Sequence, residues 1–172
     1  MDPIKRLLFP IILALGSATA AASPEAGACP PAGRSAAKLQ QLKAVEFKIE
    51  SPQARAQLAV DLLDCLASPD PELRDGIAFE AWYRWLRADQ LDQQTRQQAL
   101  DRLLAAIARD KADNDGFRHP FSALVLSEIA RTDRKTPWMT PSQRAALLEA
   151  GAVYLPTRTR RTWQVSRRHR IW

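Results

Sequence analysis

The stretch Ser68–Leu86, SPDPELRDGIAFEAWYRWL, restricts the fold more than any other part of the chain. Asp70 suits a helix N-cap, because its carboxylate accepts from the free N–H groups of the next turn. Pro71 fits the first helical position, where no N–H is needed and φ is already correct. Glu72 adds negative charge near the positive end of that helix. Leu73, Ile77, Ala81, Trp82 and Trp85 then recur at helical spacing and make one face apolar. Upstream, Ser51 and Pro52 open a helix whose stripe is Leu58, Ala59, Leu62, Leu63 and Leu66. Two amphipathic helices joined by Ser68–Pro71 are predicted to fold back as an antiparallel pair.

The pair recurs. Moving 44 residues along from Leu73, Arg74, Ile77, Ala81, Trp82 and Trp85 reaches Phe117, Arg118, Phe121, Val125, Leu126 and Ile129. The same step takes Asp70 to Asn114, another capping residue. The preceding helix repeats after 41 residues, with Ala59, Leu62, Leu63 and Leu66 mapping onto Leu100, Leu103, Leu104 and Ile107. A helix-pair period in the low forties lies in the range of HEAT-type repeats. The D-x-x-L-R turn also resembles the HEAT turn, whose Asp and Arg link neighbouring repeats. Asp70, Arg74, Asn114 and Arg118 are therefore expected to be structural turn residues. The expected fold is all-α, with antiparallel helix pairs stacked as a short HEAT-like α-superhelix and no sheet. No segment alternates apolar and polar residues for long enough to be a strand.

Residues 1–22 read as a secretory signal peptide. Lys5 and Arg6 form its basic region, Leu7–Leu15 its short apolar core, and small residues permit cleavage after Ala20 or Ala22. The apolar run is too short to span a bilayer. Cys29 lies too far from that core for a lipoprotein site. The expected location is periplasmic or secreted, with no transmembrane segment after cleavage. Residues 23–37 are rich in Ala, Pro and Gly and read as a flexible linker. Residues 38–155 are the HEAT-like helical domain. Cys29 and Cys65 are the only cysteines. An even pair in an oxidising compartment favours a disulfide; the alternative is a buried Cys65 and an exposed Cys29, both free.

Further helices are expected over Ala36–Ile49, with Leu39, Leu42, Val45 and Phe47 as apolar candidates, from Asp92 to about Asp110, over Phe121–Arg131, and from Thr140 onward with Ala145, Leu147, Leu148 and Leu155. Residues 156–172 break the pattern. They hold six arginines and no acid, and the rest of the chain holds 19 basic and 19 acidic groups. The net charge of +6 therefore belongs to this tail. Three readings are open: binding to an anionic partner, a solvated disordered end, or out-of-frame translation.

Several motifs together resemble the bacterial domain-of-unknown-function family number 2785. They are Cys29-Pro-Pro, the run from Leu66 to Glu80, Phe117-Arg118-His119-Pro120-Phe121-Ser-Ala-Leu-Val-Leu126, and Pro137-Trp-Met-Thr-Pro141. The resemblance runs from about Leu39 to Leu155. It implies a helical fold and carries no assigned activity. Relatives continue past the equivalent of Tyr154-Leu155 with an Arg-Gly-Phe stretch and a His-containing segment that this chain lacks. A truncation or frameshift is therefore expected after about Leu155. The codons of Trp163-Gln164, shifted by one base, read Gly followed by Lys or Arg, which is compatible with that expectation.

Catalytic signatures are missing: there is no H-E-x-x-H, G-x-S-x-G, P-loop or C-x-x-C. His169 is in the tail, and His119, beside Pro120, suits capping or packing. Asp113-Asn114-Asp115-Gly116 resembles part of a calcium loop, but its register puts Lys111 and Ser122 where carboxylates are needed. No catalytic residue, cofactor or metal site is expected. The expected function is binding or scaffolding of another macromolecule, an unknown protein or envelope component, with nucleic acid disfavoured. Two alternatives remain: a fragment of an enzyme family whose active site lies in the missing part, and a cationic tail that binds anionic envelope surfaces.

Overall fold

Capping side chains set where the helices begin. Ser35 Oγ accepts from the Lys38 N–H at 3.2 Å and opens α1 (Ala36–Ala44). Ser51 Oγ accepts from the Ala54 N–H at 3.1 Å, and Pro52 follows it as the first residue of α2 (Pro52–Leu62). A 3₁₀ turn, Asp64–Ala67, carries the chain to the Ser68–Pro71 corner. Beyond the corner comes a π-helix, Glu72–Phe79, continuous with α3 (Glu80–Arg87). Asp92 accepts from the Thr95 N–H at 2.7 Å and opens α4 (Gln93–Ala108). α5 is Arg118–Lys135. A reciprocal capping box opens α6, residues 141–152. There Thr140 Oγ1 accepts from the Gln143 N–H at 3.2 Å, and Gln143 Oε1 accepts from the Thr140 N–H at 2.8 Å. The structure is a computed structural model that describes residues 29–108, 116–152 and 154. Among these residues all regular structure is helical. The expected signal peptide, Asn114 and the 156–172 tail lie outside them.

Two boundaries differ from expectation. The first helix ends at Ala44, not near Ile49, because Glu46 and Phe47 take left-handed backbone conformations (φ 56° and 59°). That turn leaves Val45 at the surface, 56% exposed, and drives Phe47 inside. Phe47 then meets Trp85 edge to face, and its carbonyl accepts from Trp85 Nε1–H at 3.0 Å. The fifth helix is longer than Phe121–Arg131 at both ends.

The core holds both tryptophans of the π–α3 helix. Trp82 is fully buried, and its Nε1–H donates to the Ala59 carbonyl at 2.9 Å. That carbonyl is available because the Leu63 N–H, at the start of the 3₁₀ turn, bonds to Val60 instead. Around the indoles pack Leu58, Leu62, Leu66, Ile77, Leu100, Val125 and Ile129. Cys65 is fully buried and disulfide-bonded to Cys29. With Pro31 also buried, the end of the 23–37 stretch is held against the domain.

Side-chain contacts give the helix directions. Arg55, early in α2, donates to the Gln90 carbonyl just past α3, so α2 and the π–α3 helix are antiparallel. Arg96, early in α4, lies over Trp138, just past α5, so these two are antiparallel as well. The two pairs lie side by side, α2 against α4 and α3 against α5. Arg102 of α4 reaches the Val60 carbonyl and Asp64.

Candidate functional site

The corner at Ser68–Pro71 is built around one buried arginine. Asp70 Oδ1 accepts from the Glu72 N–H at 2.8 Å. Arg74 is 7% exposed. Its Nε donates to Asp75 at 2.6 Å, and one terminal nitrogen donates to the Ser68 carbonyl at 3.0 Å. The guanidinium also lies 3.9 Å from the centroid of the Phe117 ring and 5.0 Å from that of Phe121. All three of its nitrogens and one flat face are thus engaged within the protein. Arg118 is in the first turn of α5, and His119 follows it. Asn114 lies outside the described residues. Gly76 allows a partly buried ion pair to cross the π-helix. A Cβ there would stand 2.7 Å from both Glu72 Oε2 and Lys43 Nζ, and Lys43 Nζ is paired with Glu72 Oε1 at 2.9 Å.

Two carboxylates tie the later helices, and neither stands out in the sequence. Glu128 accepts from Arg87 at 2.7 Å and from Arg131 at 2.7 Å, which holds its carboxyl below the usual range. Asp133 is buried. It accepts from Arg144 at 2.6 Å and from the backbone N–H groups of Trp138 and Met139 at 2.8 Å each. The Arg144 guanidinium, followed by those two N–H groups, holds the Asp133 carboxyl far below its ordinary value. Trp138 is partly buried against the core and donates from Nε1 to Thr132.

Every element so far is internally satisfied. The C-terminal end of the stack is different. There α4, α5 and α6 leave an open groove of about 280 Å³. Ile107 comes from α4, Ala123, Leu126, Ser127 and Ala130 from α5, and Leu147, Ala150 and Gly151 from α6, with Tyr154 at the end. Small residues on both walls make it wide, and its lining carries no charged side chain. Leu148 of α6 stands 73% exposed and Leu124 of α5 43% exposed. Such a surface suits the removal of apolar area from water and offers little to a charged or strongly polar ligand.

Sequence reasoning reached this groove only as a list of apolar positions on the last helix. The signal for it was composition: from Ala145 to Ala152, α6 has one charged residue, Glu149. A helix apolar all round belongs in an interior. Among the described residues no group of His, Cys, Asp or Glu could hold a metal ion, and no helix is long and apolar enough to cross a membrane.

A family model described as protein of unknown function (DUF2785) matches residues 103–160. The match takes in the end of α4, where Leu103 is buried, all of α5 and all of α6, the three helices that line the groove. It begins well after Leu39, where the resemblance read from the sequence began. No curated protein and no solved structure matches the chain significantly.

Proposed function

From the premise that residues 103–160 belong to the DUF2785 family of proteins of unknown function, we propose that the chain is a periplasmic, HEAT-like helical module that binds another macromolecule. The binding face is the groove between α5 and α6. The observation that carries this reading is an uncharged apolar groove between α5 and α6.

The HEAT-like part is supported by contacts at similar depth between the second helices of the two pairs. Arg74 stacks on Phe117, Phe79 meets Phe121 edge to face, and Arg87 pairs with Glu128. Partners at like depth in successive second helices are what repeat stacking requires. In a stack of this kind each pair buries its face on the next, so an open apolar end is a place for a partner.

Site-specific photocross-linking tests the proposal. A photoreactive residue replaces Ser127, at the groove edge, and its counterpart replaces Gln57 on α2 as a control. Irradiation in intact cells should give a discrete adduct from position 127 only. Equal labelling from both positions, or no adduct from position 127 with a folded protein, would overturn it.

A further inference from the structure

We infer that a polar groove between α2 and α4 binds an extended peptide segment by its backbone. This site is separate from the α5–α6 groove and does not depend on what that groove binds. The opening is about 280 Å³. Gln53 and Gln57 of α2 line one wall, and Gln94 and Gln98 of α4 line the other; all four are exposed. The 41-residue step that relates the first helices of the two pairs takes Gln53 to Gln94 and Gln57 to Gln98. Arg102 of α4, bonded to the Val60 carbonyl and Asp64, keeps the two helices in that register. Between the walls lie Ala56 and Val60, half-buried, and Thr95, buried. Asp92 brings the one charge in the lining, and its carboxylate is held by the Thr95 N–H that it caps.

Spacing selects the occupant. Residues four apart on a helix are separated by about 6 Å along its axis. In an extended chain alternate residues are separated by about 6.6 Å, and each presents its N–H and C=O together to the same edge. A carboxamide both donates and accepts, so it bonds both groups of one such residue. Gln53 and Gln57 therefore match two alternate residues along one edge of a strand that lies parallel to α2. Gln94 and Gln98 match the intervening residues along the other edge. The width agrees as well. A strand paired on both edges holds its neighbours about 10 Å apart, and packed helix axes stand about 8–10 Å apart. The amides are available for this. Gln57 donates one hydrogen to Asp61 and Gln53 accepts from Ser51, which leaves each a donor and an acceptor. Among the described residues the Gln94 and Gln98 side chains make no hydrogen bond. Four neutral amides offer nothing special to a charged ligand, and Ala56 and Val60 meet the inward side chains of a bound strand, which must be small.

The test is an NMR titration of the isotope-labelled full chain with a blocked octapeptide of alternating alanine and threonine. The peptide should shift the side-chain amide signals of Gln53, Gln57, Gln94 and Gln98 saturably. Methylating every second backbone nitrogen of the peptide removes the donors from one edge, and should weaken binding at least about tenfold. Gln98→Leu should weaken binding of the parent peptide about fivefold. It should leave the melting temperature unchanged, because Gln98 is exposed. Gln97→Leu should leave the affinity unchanged, since the Gln97 amide bonds to Asp101 and does not line the groove. A photoreactive residue at position 57 replaces one of the four amides, so that cross-linking control lacks the complete site. Absence of saturable shifts, or equal binding of the methylated peptide, overturns the inference. Shifts produced by chitotetraose and not by the peptide would make the groove a sugar site and overturn it too.

Discussion

The carboxylate of Asp133 accepts from two successive backbone N–H groups and from a guanidinium, so it fixes the 136–140 loop and the start of α6 together. Asp133→Ala strands two N–H groups and the Arg144 charge, and is expected to cost about 3 kcal/mol in urea unfolding. Because the folded carboxyl titrates well below its ordinary value, this contribution is complete above about pH 4. It is lost as pH falls from there toward the folded value. The unfolding midpoints of wild type and Asp133→Ala should therefore converge on acidification. A gap that stays constant from pH 6 to pH 2 would remove the carboxylate from this role. Trp82 gives a second prediction at this scale. Trp82→Phe keeps an aromatic ring but leaves the Ala59 carbonyl without its indole donor. A loss of about 2 kcal/mol in the same assay is expected from that bond and the missing volume.

Between elements, Arg74 joins the π-helix to the start of α5. Lysine keeps the charge, but it cannot fork onto Asp75, reach the Ser68 carbonyl and stack on Phe117 at once. Arg74→Lys should cost about 2 kcal/mol. A double-mutant cycle with Phe117→Leu should give a coupling of about 1 kcal/mol, the part that belongs to the stacked ring. Additivity of the two substitutions would mean that the helices are held together without this contact. The helix that carries Arg74 was legible from Asp70, Pro71 and the spacing of Leu73 to Trp85. Its π geometry was not. Apolar periodicity reports which side of a helix is buried, and a few residues of wider winding do not change that side. The end of α1 was hidden for a related reason. Only the positive φ values at Glu46 and Phe47 end the helix, and neither residue type announces such a conformation.

For the whole molecule, the Cys29–Cys65 bond closes a separation of 36 residues between the N-terminal stretch and the buried 3₁₀ turn. Chain-entropy reasoning puts its contribution at about 3–4 kcal/mol. Reduction should lower the melting temperature accordingly, and Cys29→Ser should match the reduced wild type. A reduced protein as stable as the oxidised one would show that packing around Cys65 suffices. Sequence alone determined much of this protein. It established the helical class, the starts at Ser51, Asp92 and Thr140 and the apolar stripes, and it favoured a bond between the two cysteines that the structure then shows. All of these depend on residue type and local spacing, which a linear chain displays. Tertiary structure alone decided that Asp133 gathers the loop and last helix, that Arg74 meets Phe117, and that α4, α5 and α6 leave a groove. Each of these joins residues that meet only after the helices have packed, and an unfilled surface exists only once its neighbours are in place.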